Sequence, residues 1–424
     1  MQTIESSKVK EKIYIEKLEN GLTVAVIPKK EICKKYVIWG TEFGSIDNNF
    51  KLTKTDQIVK VPDGIAHYLE HKLFEQENGK NSLDVLSSLG VDANAYTTNN
   101  HTAYLFEATD NFYEALDEFM DYVQSPYFTD ENVEKERGII GQEIMMYDDY
   151  PDWKLYMNAM KCMYKDNPIN IDVAGTKETI AQIDKEKLYT IYNAFYRPDN
   201  QVLVLCGDFE VDNILEEVKK RLKPNHNKQE VQRIYPKEQE EIVEKYKEAK
   251  MDISKPLFLI AYKDKVETGE MVKKDLAIEC ICNMLIGKSS NLYQKLYKEG
   301  LISEEFGYNY EFSKTYAHIL IQNTSNNPQK VAEEISKEIE NYNQTGFNNE
   351  EFERIKKKIY GEYVKSYNDI SSISNNFLSD YFKEINSFEF LEEILVLDKD
   401  YVEKVFKEVF VEDRKVISVV LPNE

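Results

Sequence analysis

The sequence predicts an α+β fold written twice, each copy a mixed sheet with helices on one face, and three observations carry that expectation. First, the segment from Phe128, FTDENVEKERGIIGQEIMMYDDY, has a counterpart from Phe347, FNNEEFERIKKKIYGEYVKSYND. A constant offset of 219 sets Glu131 on Glu350, Glu134 on Glu353 and Glu143 on Glu362. Second, upstream of each copy a strand-like run leads into an amphipathic helix. AYLFEA precedes Phe112, Leu116, Phe119 and Val123, and HILIQN precedes Val331, Ile335 and Ile339, spacings that bury one helix face. Third, each copy begins and ends on β-like runs. These are LTVAVIP, KYVIWGTEFG and QVLVLCGDF (201–209) in the first, PLFLIAYKD and KVISVVLP (415–422) in the second.

Asn20-Gly21, ahead of the first runs, is a hairpin signal. Between the copies, the polar stretch beginning near Lys223 reads as a linker with some strand. The 424 residues suit two or three domains, and 42% hydrophobic against 31% charged residues is the balance of a globular chain. A formal charge of −22 repels phosphate backbones and anionic lipid, which excludes nucleic acid and membrane as partners. The N-terminal segment lacks an apolar leader, and no apolar run approaches the ~18 residues of a membrane span. Five scattered cysteines (Cys33, Cys162, Cys206, Cys280, Cys282) form no metal-type spacing and read as packing residues of a cytoplasmic protein.

The chemistry stands in VPDGIAHYLEHKLFEQ. Asp63 is placed to cap a helix, and Ile65, Leu69 and Leu73 supply its apolar positions. His67 and His71, four apart, then leave the same face and can share one metal ion. Glu70, beside them, can reach a water at the metal without coordinating it. The order His-x-x-Glu-His is an inverted zinc motif. With only 5 histidines in the chain, two in this pattern are a specific signal. His101, His226 and His318 stand singly and read as structural.

An open catalytic zinc takes three protein ligands, and a carboxylate is the better candidate for the third. Glu136 and Glu143, seven residues apart on a helix, project to one side. One could bind zinc while the other orients a histidine. The second copy has no histidine in the corresponding stretch, KKDLAIECICNMLIGKSS, and Ile355 where the first has Glu136. The expected organisation is therefore a metal-binding domain at 1–225, a linker at 226–250 and a metal-free homologous domain at 251–424.

AHYLEHKLFE, NAYTTNNHTAYLFE, EKERGIIGQEI, AGTKETIAQI and YRPDNQVLVLCGDF together resemble the pitrilysin/insulinase metallopeptidases, family M16, and their short mitochondrial-processing-peptidase-like branch, over nearly the whole chain. The resemblance implies two LuxS/MPP-like domains. It implies zinc on His67, His71 and Glu143, Glu70 as base, Glu136 in support, and an edge strand at Asn94, Ala95 and Tyr96 that pairs with peptide substrate. One departure stands out: Tyr297 and Ser303 occupy LYKEGLIS where many active members carry Arg and Tyr. The reading is a zinc endopeptidase acting on short or unfolded peptides. Its alternative is a weakly catalytic zinc subunit of a heterodimeric complex in peptide maturation or protein modification. Either implies a homodimer or a heterodimer with a zinc-free relative, since long members assemble four such units and this chain has two.

Overall fold

The computed structural model describes residues 1–224, 230–266 and 269–423; His226 and part of the expected linker lie outside the described residues. The chain opens with β1 (Gln2–Ser6), β2 (Glu11–Lys17), β3 (Thr23–Pro28), β4 (Lys35–Thr41), β5 (Asn49–Leu52) and β6 (Gln57–Lys60). It continues through α1 (Ile65–Lys72), α2 (Ser82–Ser88), β7 (Asp92–Thr97), β8 (Thr102–Ala108), α3 (Phe112–Val123) and α4 (Asp130–Asp148). Next come α5 (Pro151–Met163), α6 (Lys177–Ile180), α7 (Lys185–Phe195), β9 (Gln201–Gly207) and α8 (Val211–Arg221). The stretch read as a linker carries β10 (Val231–Arg233) and β11 (Tyr246–Met251). The second copy runs through β12 (Leu257–Asp264), α9 (Met271–Ile286), α10 (Asn291–Lys298), β13 (Gly307–Phe312), β14 (Ala317–Thr324) and α11 (Pro328–Thr345). It closes with α12 (Asn349–Ser366), α13 (Ile370–Phe382), α14 (Glu389–Val396), α15 (Lys399–Val409) and β15 (Lys415–Pro422).

The chain forms two compact units, Met1–Ile144 with Asp172–Tyr235 and Lys365–Phe388, and Met145–Ile171 with Pro236–Val364 and Glu389–Glu424. In the first, the strands run β1-β2-β3-β9-β4-β8-β7, parallel only between β3 and β9. The turn at Asn20-Gly21 joins β2 to β3, and Gly21 has φ +101. The two runs after it are not neighbours, because β9 inserts between β3 and β4. β2 went unread because EKIYIEK offers only the short run Ile13-Tyr14-Ile15 between two charged pairs, on a half-exposed strand.

Side chains alternate along β4. Val37 and Trp39 enter the core with Leu116 and Phe119 of α3 and Leu203 and Leu205 of β9, and Trp39 meets Phe119 at 6.4 Å. Tyr36, Ile38 and Gly40 face the other way and are also buried. Their cover is α13, whose Ile370, Ile373, Phe377 and Leu378 are buried. A Cβ on Gly40 would come within 2.5 Å of Leu378. Helices therefore cover one face of this sheet and a single further helix covers the other.

The second unit is a five-stranded sheet, β11-β15-β12-β14-β13. α5 packs on β12 and β15. Tyr164, just past it, donates to the Ala317 carbonyl and lies 2.9 Å from His318 Nδ1, so buried His318 serves structure. α5 and α13 are themselves 219 residues apart. Each contiguous copy thus gives the same helix to the other compact unit, and the units are discontinuous where the sequence suggested boundaries at 225 and 251. The cause is physical: a sheet apolar on both faces must be covered on both.

Candidate metal centre

α1 buries Ile65, Ala66, Tyr68 and Leu69 against the first unit's core, which turns His67 and His71 toward α4. Asp63 does not cap this helix. Its carboxylate accepts from Asn48 Nδ2 at 2.7 Å, and Gly64, at φ +90, occupies the cap position without a side-chain bond. That glycine crosses Gly175 back to back: a Cβ on Gly64 would lie 2.4 Å from the Ala174 carbonyl oxygen, and one on Gly175 2.5 Å from that of Asp63. The helix start is fixed by this close crossing rather than by a cap.

α4 is tied to α1 by a hydrogen bond from Tyr68 Oη to the Val133 carbonyl and by buried Val133 and Ile140. This docking brings Glu143 to the histidine pair. His67 Nε2 is 3.7 Å from Glu143 Oε1, and His71 Nε2 is 3.5 Å from Glu143 Oε2. The two imidazole centroids are 4.6 Å apart. Among the described residues this is the one group of three metal-type side chains whose ligand atoms all lie within 4.8 Å of one another. The spacing is loose for hydrogen bonds. It fits zinc: ligands at ~2.1 Å in a tetrahedron stand about 3.4 Å apart.

The protonation states suit the same group. Burial, then the neighbouring His71, pushes His67 down to about 3, leaving a neutral imidazole with a free lone pair; its buried Nδ1 has no hydrogen-bond partner among the described residues. Burial also pulls on His71, but its hydrogen bond to Glu136 and the charges of Glu70, Glu136 and Glu143 outweigh it, and His71 is raised. Glu136 Oε1 stands 3.1 Å from His71 Nδ1, the position of an orienting carboxylate rather than a ligand. Substituting Glu136→Gln is expected to weaken zinc retention about 10–100-fold, the usual cost of an outer partner. Dialysis against graded chelator checks this, and Glu143→Gln should lose more.

Glu70 is 6% exposed and accepts a 2.6 Å hydrogen bond from Thr97 Oγ1. Burial raises it to about 6, against the pull of Thr97 and His71, with Glu143 adding to the rise. Thr97 ends β7, which lies at the edge of the seven-stranded sheet and carries Asn94, Ala95 and Tyr96. Asn94 Oδ1 accepts from the Ala95 N–H at 2.9 Å, and Tyr96 Oη donates to Asn375 Oδ1 at 2.9 Å. Asn375, on α13, in turn donates to Tyr36 Oη at 2.8 Å. The edge strand is thus pinned on one face through Thr97 to Glu70 and on the other through Tyr96 to α13. Sequence reasoning missed Thr97 and Asn375. Thr97 lies two residues past Ala95 on the same strand face, a signal that period-2 reading could have used. Nothing local marks Asn375.

The second unit holds different chemistry on the matching helices. α9 carries Asp275 and Glu279 at the four-residue spacing, and Lys358 Nζ lies 3.4 Å from Glu362 Oε1 and 2.7 Å from Asn283 Oδ1. Burial, with Asp275 and Glu362 nearby, lifts Glu279 to about 8. Tyr297 on α10 is 53% exposed and stacks on Tyr293; Ser303 is exposed in the following loop.

Residues 60–177 match the family described as Insulinase (Peptidase family M16), and residues 182–359 match the Peptidase M16 inactive domain. The uncharacterized zinc protease YmfH of Bacillus subtilis is 38% identical over 100% of both chains. The crystal structure of an M16-like peptidase from Alicyclobacillus acidocaldarius superposes with a TM-score of 0.93 at 32% identity, covering 100% of each chain. A protease from Helicobacter pylori shares the fold at a TM-score of 0.84 and 20% identity, over 97% of this chain and 100% of its own. With two family models matched in order and full-length relatives on both comparisons, the chain belongs to peptidase family M16.

Proposed function

We propose that this protein is a zinc-dependent endopeptidase that hydrolyses peptide bonds in short or unfolded peptides. The observation that carries the reading is a buried carboxylate, Glu70, aimed by Thr97 beside the His67–His71–Glu143 group. When bound, zinc supplies Lewis acidity for the scissile carbonyl and makes water easier to deprotonate. Glu70 takes the proton of the attacking water and returns it to the leaving amine nitrogen, a task suited to a carboxyl held near 6. Glu136 keeps His71 in the tautomer that offers Nε2. The free edge of β7 offers main-chain groups to an extended peptide, which must displace Asn94 from the Ala95 N–H. Only a flexible strand can add to that edge, which favours unfolded substrate.

A second reading, a weakly catalytic subunit that needs a partner, is favoured by Tyr297 and Ser303 standing where an Arg and a Tyr are expected. Either reading takes a second chain, a copy of this one or a zinc-free relative. Five unbridged cysteines, four of them buried, suit a reducing, cytoplasmic setting. Among the described residues no helix is long and apolar enough to cross a membrane.

The test is digestion of an unfolded peptide library by the purified protein, followed by mass spectrometry. Cleavage should disappear with chelator and return with zinc. Turnover per chain should fall on dilution below the dissociation constant of the pair, or rise when the relative is added. Zinc-restored cleavage that is absent under every condition would remove the peptidase reading. Concentration-independent turnover by a monomer would remove the second chain.

A further inference from the structure

Lys72 follows directly on the second histidine, and nothing in a His-x-x-Glu-His helix requires a cation there. It is nonetheless 0% exposed, between Leu69 and Leu73 of the core face. Lysine is almost never sealed from water unless its charge is paired. Its partners are two carboxylates. Lys72 Nζ bonds to Glu75 one turn later, and it lies 3.7 Å from Glu136 Oε2. Glu75 has a second cation at the surface, Lys135, whose Nζ is 2.8 Å from Glu75 Oε1. Glu136 has none: among the described residues, its ion-pair partners are His71 and Lys72.

We propose that Lys72 is a positioning residue for the metal centre, holding Glu136 on His71 from behind and offsetting the surplus negative charge of the site. The inference rests on the reading that His67, His71 and Glu143 hold zinc. Two arguments support it. The Glu136 carboxylate is divided: Oε1 lies 3.1 Å from His71 Nδ1, and Oε2 faces the Lys72 ammonium at 3.7 Å, so one oxygen is held by a hydrogen bond and the other by charge attraction. A carboxylate fixed in this way orients the imbedded ring of His71 and with it the direction of Nε2. The second argument is charge. Glu70, Glu136 and Glu143 bring three negative charges into a largely buried space, and a zinc dication offsets two of them. Lys72 supplies the third, while Glu75 and Lys135 neutralise each other nearer the surface. In a poorly solvated site an uncompensated charge is costly, and its removal falls on whatever binds there.

The experiment is zinc affinity by competition with a fluorescent chelator, on the full chain, for wild type, Lys72→Met, Lys72→Arg, Glu75→Gln, Glu136→Gln and Lys72→Met/Glu136→Gln. Lys72→Met should bind zinc about 10–100-fold more weakly than wild type, and Lys72→Arg should recover most of the loss. Glu75→Gln should bind as wild type does, since Lys72 then serves Glu136 alone. In the Glu136→Gln background the Lys72 substitution should add little, because its target is gone. The cobalt(II)-loaded protein gives a readout that a purely structural lysine would not move: Lys72→Met should shift its visible bands as His71 changes donor strength. Unchanged affinity and spectrum in Lys72→Met, or additive losses in the double variant, would overturn the inference. So would a loss in Glu75→Gln equal to that in Lys72→Met, which would make the lysine a helix-closing ion pair. If Lys72→Met does not fold, the double variant, which removes both charges, is compared with Glu136→Gln: equal zinc affinity supports the inference, and a further loss overturns it. A wild-type chain that takes up no zinc fails one level lower, at the site itself.

Discussion

Glu70→Gln is expected to leave one zinc per chain in place while peptide turnover falls about 100- to 10,000-fold, the usual contribution of a general base. Gln is isosteric with Glu and can still accept from Thr97 Oγ1, so the 2.6 Å contact and the packing around it survive. What is lost is the ability to take a proton from water. His67→Ala and Glu143→Ala should do the opposite, stripping the metal and activity together, since each removes one of three ligand atoms grouped within 4.8 Å. Metal content by mass spectrometry and turnover on the same preparations separate the cases. Full zinc in His67→Ala would refute the assignment of the ligands, and wild-type turnover in Glu70→Gln would refute that of the base.

The next largest effect should come from a residue that touches neither metal nor substrate. Gly175→Ala is expected to destabilise the protein by about 3 kcal/mol, because the new side chain meets both a strained backbone and a backbone oxygen. Gly175 sits at φ +75, and its Cβ would approach the Asp63 carbonyl oxygen to 2.5 Å. For a unit of some 200 residues that corresponds to a melting temperature lower by about 6–12 °C. Because Asp63 and Gly64 lead into α1, the same substitution should loosen the histidines and weaken zinc binding. Gly138→Ala is the matched control. Gly138 lies inside α4 with nothing within 4 Å of a built Cβ, so alanine there should stabilise by up to about 1 kcal/mol. A Gly175→Ala variant with an unchanged melting temperature would show that the crossing relaxes freely.

The candidate site was legible because its residues lie on two helices with short, regular spacings. Four residues between His67 and His71 and seven between Glu136 and Glu143 each return a helix to the same side, so the choice of face needed no tertiary information. Which of Glu136 and Glu143 comes against Nε2 of both histidines was open to the spacing. It depends on how α1 and α4 dock, through Tyr68, Val133 and Ile140. The cap at Asp63 failed for a similar reason. A capping side chain is a local preference worth about 1 kcal/mol, and the crossing of Gly64 with Gly175, more than 100 residues apart, overrode it.

By itself the sequence determined the duplication, the strand and helix runs that fill it, and the metal-type residues on one copy, because each follows from periodicity along the chain. Only the tertiary structure decided that β9 inserts between β3 and β4, and that α5 and α13 are exchanged between the compact units. It alone placed Thr97 on Glu70, Asn375 on Tyr96 and Lys72 against Glu136. The physical reason is that hydrophobic burial is non-directional. The alternation of β4 shows that both faces of a strand need cover, but not which helix supplies it, and an amphipathic helix shows a face to bury without naming the surface that will receive it.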